Sequence, residues 1–300
     1  MKKILVTGHL GLVGRHLLPK LALMGYQVIG FDLADNSGDI LNEHSLKQAM
    51  QGCHGVVHLA AVSRVVWGHK NPEKCWQTNA LASEKLLQLA AKSSVNPWVL
   101  LSSSREVYGE PEQLPVNEGM PTNPVNIYGR AKLYMEQAAF EARTAGVNTA
   151  IVRLANVYGC VNDHKDRVLP AFCRNAVLGD PLRVDGFEHL FDFTHISDTV
   201  NGITRVIELL CTGERNLPAI HLLPGEGTTL KQAADLAVTS ANSCSAINSA
   251  AARSYDVCKF IGDPARAKEL LGWQAHILPP KGIAMLVEDF KAHLETGVHA

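Results

Sequence analysis

The 300-residue chain has no excess of charge of either sign: 28 lysines and arginines stand against 29 aspartates and glutamates, a formal charge of −1. Such a balance creates no long-range field to collect a nucleic acid or an anionic membrane surface, so no nucleic-acid or membrane partner is expected. CxxC pairs are missing. The seven cysteines, Cys53, Cys75, Cys160, Cys173, Cys211, Cys244 and Cys258, are odd in number and scattered, the pattern of reduced thiols in a cytosol rather than of a disulfide framework or a zinc site. No metal is expected. Long apolar runs are also missing. The opening Met1-Lys2-Lys3-Ile4-Leu5-Val6-Thr7-Gly8 starts basic, but Gly8 and His9 end its apolar stretch after three residues, too short for a signal peptide. Nothing later approaches the ~18 apolar residues of a membrane-spanning helix, so the chain reads as cytoplasmic. What is present, 46% hydrophobic and 19% charged residues, describes a globular protein with a large domain and a smaller one folded onto it.

In the N-terminal half, short β-branched runs alternate with helical patterns, the rhythm of βαβ units and a parallel sheet. Strands are predicted at Lys3–Thr7, Gln27–Asp32, Gly55–Leu59, Trp98–Ser102 and Thr149–Arg153. Helices are predicted at Gly14–Met24, closed by Gly25, at Ser45–Met50 and Pro72–Lys92, and at Ile127–Ala145, closed by Gly146. The fold class is therefore α/β, a doubly wound Rossmann sheet that binds ligands at the carboxyl ends of its strands. Residues 1–158, with 190–222 returning to them, form the dinucleotide domain; 159–189 and 223–300 form a smaller α/β substrate domain. In the latter, Pro170–Leu178, Thr228–Thr239 and Pro264–Leu271 read as helices and Leu182–Val184 as an extended piece. The Ser/Ala-rich Ala241–Ala252 reads as a mobile surface stretch.

Gly8, Gly11 and Gly14 follow the first strand and open the first helix with GxxGxxG spacing. Glycines belong there because the chain turns sharply, a pyrophosphate approaches the backbone, and the helix N-terminus attracts its charge. Asp32, 18 residues after Gly14 at the end of the second strand, can accept hydrogen bonds from ribose hydroxyls, and no Arg or Lys follows it closely. NAD is thus expected rather than NADP. Tyr128 and Lys132, at i and i+4, project from one helix face, where an ammonium and an oxidised nicotinamide would stabilise a phenolate acting as proton acceptor. Ser104 ends the serine run Ser102-Ser103-Ser104 at the sheet's carboxyl edge, placed to hydrogen-bond the oxygen that Tyr128 deprotonates.

These features, with Gly38-Asp39-Ile40, His58-Leu59-Ala60-Ala61, Asn79, Val107-Tyr108-Gly109, Arg153, Asn156-Val157-Tyr158-Gly159, Leu169-Pro170, Asp192-Phe193, Asp198, and Asp263 through Gly272-Trp273, resemble the extended short-chain dehydrogenases/reductases. The resemblance runs almost end to end and is to the NAD-dependent nucleotide-sugar epimerases and dehydratases. It implies that Asp39 and Ile40 contact the adenine, that Leu12, Leu59, Ala60, Ala61, Ser102, Leu154 and Val157 line the cofactor, and that Asn79 supports it. It makes Ser104, Tyr128 and Lys132 the catalytic set and places Asn156, Val168 and Arg253 on the substrate, with Arg183 or Arg174 the candidate to replace the diphosphate arginine missing at Phe191. It also implies a homodimer joined through the Pro72–Lys92 and Ile127–Ala145 helices. Three departures stand out. Asp32 and Asp39 are only seven positions apart, Asp185 stands where relatives place an aromatic against the nucleobase, and Phe191 stands where they place an arginine.

The step after Ser104 is Arg105-Glu106, where dehydratases carry an Asp-Glu pair. Glu106 is either a general acid/base at a sugar carbon or the ion-pair partner of Arg105 or Arg130. Trp67 and His69 stand in what reads as a loop bordering the sugar. The favoured reading is a 4-epimerase working through a transient keto-sugar. A dehydratase or uronic acid decarboxylase using Glu106, a net sugar dehydrogenase, and a non-catalytic NAD-binding regulator are the alternatives.

Overall fold

The computed structural model describes residues 1–253 and 257–296. Its first half runs β1 (Lys3–Thr7), α1 (Leu12–Leu23), β2 (Gln27–Phe31), α2 (Glu43–Ala49), β3 (Gly55–His58), α3 (Val65–Lys70), α4 (Pro72–Trp76), α5 (Ala82–Ala91), β4 (Trp98–Ser104), α6 (Ile127–Thr144) and β5 (Thr149–Leu154). The second half adds β6 (Asn156–Tyr158), α7 (Val168–Leu178), β7 (Leu182–Asp185), β8 (Leu190–His195), α8 (Ile196–Thr212), β9 (Ile220–Leu222), β10 (Gly227–Thr229), α9 (Leu230–Ala241), β11 (Ile247–Ala250), β12 (Lys259–Phe260), α10 (Ala265–Leu271) and α11 (Pro279–Glu295).

Six strands form one parallel sheet in the order β2-β1-β3-β4-β5-β9. Strand side chains alternate between faces, so Ile4 and Val6 enter one core with Leu17, Leu21, Ile203 and Ile207, while Leu5 enters the other with Leu86, Met135 and Ile151. Helices α1 and α8 thereby cover one face and α5 and α6 the other. A third core joins α7, α9 and α11 through Phe172, Leu230, Ala233, Ile283 and Val287, beneath a small sheet in which β8 pairs with β6, β10 and β12. The chain returns to the large sheet through α8 and β9, whereas β8 lies in the small sheet.

Four local expectations are corrected. Pro72–Lys92 is not one regular helix: a π turn at Gln77–Leu81 separates α4 from α5. This wider turn carries Asn79 inward, where its side chain accepts from Val62 N at 2.7 Å and donates to Val62 O at 3.0 Å. The Trp67/His69 segment is the short helix α3 rather than a loop. Within Ala241–Ala252, residues Ile247–Ala250 pair in parallel with β7, whose edge would otherwise carry unpaired backbone groups. Finally, α8 and α11, 17 residues each, join segments to which no helix was assigned; α11 buries Ile283, Leu286, Val287 and Phe290 at helical spacing. Among the described residues no helix is long and apolar enough to cross a membrane.

Candidate active site

Two cavities meet at the carboxyl edge of the large sheet. The larger, about 640 Å³, opens along the glycine loop. Gly8 has φ +70°, and a Cβ there would stand 2.6 Å from Ala60 N; one on Gly14 would stand 2.4 Å from Gly8 O. Both are required by backbone packing. A Cβ on Gly11 would meet only Gly8 O, at 3.2 Å, and would otherwise project into the open cradle. Gly11 caps α1 without a side-chain bond and the first turn carries no acid, leaving N–H groups for an anion. Asp32 is anchored at the lip, accepting from Leu10 N and Ala34 N, both at 3.0 Å, which leaves lone pairs for ribose hydroxyls. Leu12, Asp39, Ile40, Leu59, Ala60, Ala61, Ser102, Leu154 and Val157 complete the wall. Asn79 is not in it; its place is behind, fixing Val62. The residues present fit a dinucleotide: a glycine cradle at one helix end, a carboxylate 18 residues on, and a floor ending at Tyr128 and Lys132.

Asn126 starts α6 by accepting from Gly129 N at 2.8 Å, which sets Tyr128 and Lys132 in the first turns. Lys132 is buried, its Nζ donates to Ser102 O at 2.7 Å, and it stands 5.9 Å from the Tyr128 ring centre. Burial pushes this ammonium down to about 8. Burial, with the Glu106 charge acting the same way, pushes the Tyr128 phenol up to about 12, against the opposing bond to Ser104 and charge of Arg167. The side chains alone therefore hold Tyr128 as a neutral phenol. Beneath the serine run, Ser103 donates to Glu136 at 2.5 Å and Arg153 grips the same carboxylate at 2.9 and 2.6 Å, a buried network that fixes the ends of β4 and β5.

The smaller cavity, about 380 Å³, is lined by Ser104, Tyr128, Asn156, Val168, Arg183, Phe191 and Arg253, together with Arg105 and Glu106. Of the two readings of Glu106 the ion pair is the one seen: Arg105 Nη2 lies 3.0 Å from Oε1, and Asn126 Nδ2 donates to Oε2 at 2.8 Å. Asp185 tethers Arg183 at 2.8 Å and Arg253 at 3.4 Å. Asn156 donates weakly to Asp192 O at 3.5 Å. Sequence reasoning missed Arg64 and Arg167, which also line this cavity. Arg64 Nη1 lies 2.9 Å from His164 Nδ1, and Trp67 stacks edge-on against His164 at 4.9 Å, so Trp67 borders the cleft while His69 is in neither wall. The only signal for Arg64 was its position three residues past Ala61.

The profile of the NAD dependent epimerase/dehydratase family matches residues 4–216. UDP-glucuronic acid decarboxylase 2 of Arabidopsis thaliana is 31% identical over 96% of this chain and 68% of that protein. UDP-glucose 4-epimerase of Rhizobium meliloti is 27% identical over 90% of this chain and 92% of that one. Among solved structures, UDP-glucose 4-epimerase from Thermotoga maritima, crystallised with UDP-glucose, superposes with a TM-score of 0.88 at 28% identity, covering 97% of this chain and 99% of that chain. With a glycine cradle, a Tyr–Lys pair and this match over most of its length, the chain belongs to the NAD dependent epimerase/dehydratase family and is an NAD-dependent enzyme.

Proposed function

We propose that the protein is a 4-epimerase of a nucleotide sugar. The observation that carries this is the position of Ser104 and Tyr128, which line both cavities and so stand where cofactor and substrate meet. The chemistry NAD supplies there is reversible hydride exchange with a carbon bearing a hydroxyl. Tyr128 Oη takes the hydroxyl proton as a ketone forms and returns it when the alcohol is restored, and Ser104 donates to the same oxygen. Lys132, held by Ser102 O, adds positive charge that favours the phenolate in the loaded site. Glu106 has both oxygens engaged by Arg105 and Asn126, which supports inversion by hydride return rather than elimination at carbon.

A second reading, decarboxylation of a uronic acid sugar, is favoured by the Arabidopsis relative. The two separate in one experiment: incubation with UDP-glucose and UDP-glucuronic acid in deuterated water, followed by NMR. Inversion at C4 without solvent deuterium on carbon supports the epimerase. Loss of carbon dioxide with deuterium at the neighbouring carbon supports the decarboxylase, and accumulating NADH absorbance would overturn both. We place the enzyme in the cytoplasm from its cysteine pattern, and as a homodimer joined through α5 and α6.

A further inference from the structure

Five arginines and three carboxylates line the smaller cavity, so its wall is cationic on balance. Four of these arginines have acceptors close by. Arg183 and Arg253 share Asp185, Arg167 lies 3.2 Å from Asp163, and Arg64 donates to Asp166 O at 3.0 Å. Arg167 Nε and Arg105 Nη1 are both buried without a hydrogen bond, but Arg167 Nε keeps a carboxylate oxygen of Asp163 at 3.2 Å, whereas Arg105 has its carboxylate, Glu106, on Nη2 and its Nη1 has no hydrogen-bond partner among the described residues. The guanidinium is held 4.4 Å over the Phe191 ring, with Phe260 at 5.9 Å, in a residue only 9% exposed.

A buried ionised donor without an acceptor is costly, and natural structures keep one where a ligand completes it. Position says which part of a ligand. Arg105 directly follows Ser104, at the end where Tyr128 acts, whereas the Arg183 side chain is 77% exposed and stands at the mouth. Geometry says which group. Arg105 lines this cavity, and a guanidinium offers paired donors that match two oxygens side by side, whereas a single hydroxyl would leave one donor empty. We infer that Arg105 reads a carboxylate on the sugar ring, so that the substrate is an acidic nucleotide sugar. This rests on the nucleotide-sugar reading above. Phe191 serves as the platform on which the guanidinium lies.

The test is calorimetric titration of the NAD-loaded protein with UDP-glucuronic acid, UDP-glucose and UDP. Arg105→Gln is expected to weaken UDP-glucuronic acid about 10- to 100-fold, while UDP-glucose and UDP stay within roughly twofold. Arg105→Lys keeps the charge but not the paired donors and is expected to recover part of the loss, and it carries the test if the glutamine variant does not fold. Equal weakening of all three ligands would move the contact to the diphosphate or make it structural, and an unchanged affinity for UDP-glucuronic acid would remove it; either overturns the inference. Failure of all three to bind the parent protein would instead strike the nucleotide-sugar reading itself.

Discussion

Tyr128 stands at the junction of the two cavities, and burial holds its phenol near 12, well above the pH at which it must accept a proton. Tyr128→Phe removes only that oxygen. Turnover is expected to fall by about 10²–10⁴ with NAD affinity unchanged, measured by steady-state rates and titration; a variant retaining a tenth of the activity would mean another group is the base. Asp192 offers a second, independent reading at this scale. It is fully buried in β8, accepts from Gly225 N and Gly262 N at 3.1 Å each, and has an Oδ1 with no partner. Burial pushes its carboxyl up to about 7. Between its ordinary 3.8 and about 7 the unfolded chain has released this proton while the folded one keeps it, so stability is lost as pH rises through that window. Asp192→Asn keeps the acceptor and cannot ionise. Its melting temperature should therefore gain on that of the parent from pH 4 to 7 and level off above; parallel curves would show that Asp192 ionises normally.

At the scale of elements, the glycine loop separates two kinds of requirement. Gly8→Ala puts a Cβ at φ +70° and 2.6 Å from Ala60 N, so it should lower the melting temperature and NAD affinity together. Gly11→Ala meets one atom at 3.2 Å and otherwise fills the cradle, so it should leave stability within about 0.5 kcal/mol while weakening NAD at least tenfold. Equal effects on stability would contradict the distinction. That loop was legible because glycine spacing and the switch from β-branched run to helical period are local signals, and β1 was read to the residue for the same reason. The π turn at Gln77–Leu81 was not legible, since no glycine or proline marks it and its cause, Asn79 reaching Val62, lies 17 residues away in sequence. The pairing of β11 with β7 and the stacking of Arg105 on Phe191 were hidden likewise: each depends on residues more than 60 positions apart. Within the site, Arg105 was legible as an ion-pair partner of Glu106 because the two are neighbours in sequence, while Arg64 and Arg167 were not, because a cationic wall assembled from separate segments has no spacing of its own.

The whole molecule places its catalytic junction on one edge of the large sheet and has α5 and α6 covering one of its faces. Helix α6 is locked to both preceding helices: Tyr134 Oη donates to Glu84 of α5 at 2.7 Å, and the Tyr134 ring lies 5.2 Å from that of Trp76 in α4. Yet Leu81, which ends the π turn just before α5, is 44% exposed and Phe140, on α6, is 42% exposed, two large apolar side chains that a lone chain leaves in water. A second copy related by a twofold axis would cover them and turn two helices into four, the arrangement with the least new surface to specify. Light scattering should then give twice the 32.5 kDa of one chain. Leu81→Glu combined with Phe140→Glu sets carboxylates opposite carboxylates across that axis and should yield monomers. Neither residue lines a cavity, so NAD affinity should survive the dissociation. A double variant that stays dimeric would mean the copies meet elsewhere, and a parent protein that is monomeric at micromolar concentration would remove the dimer altogether.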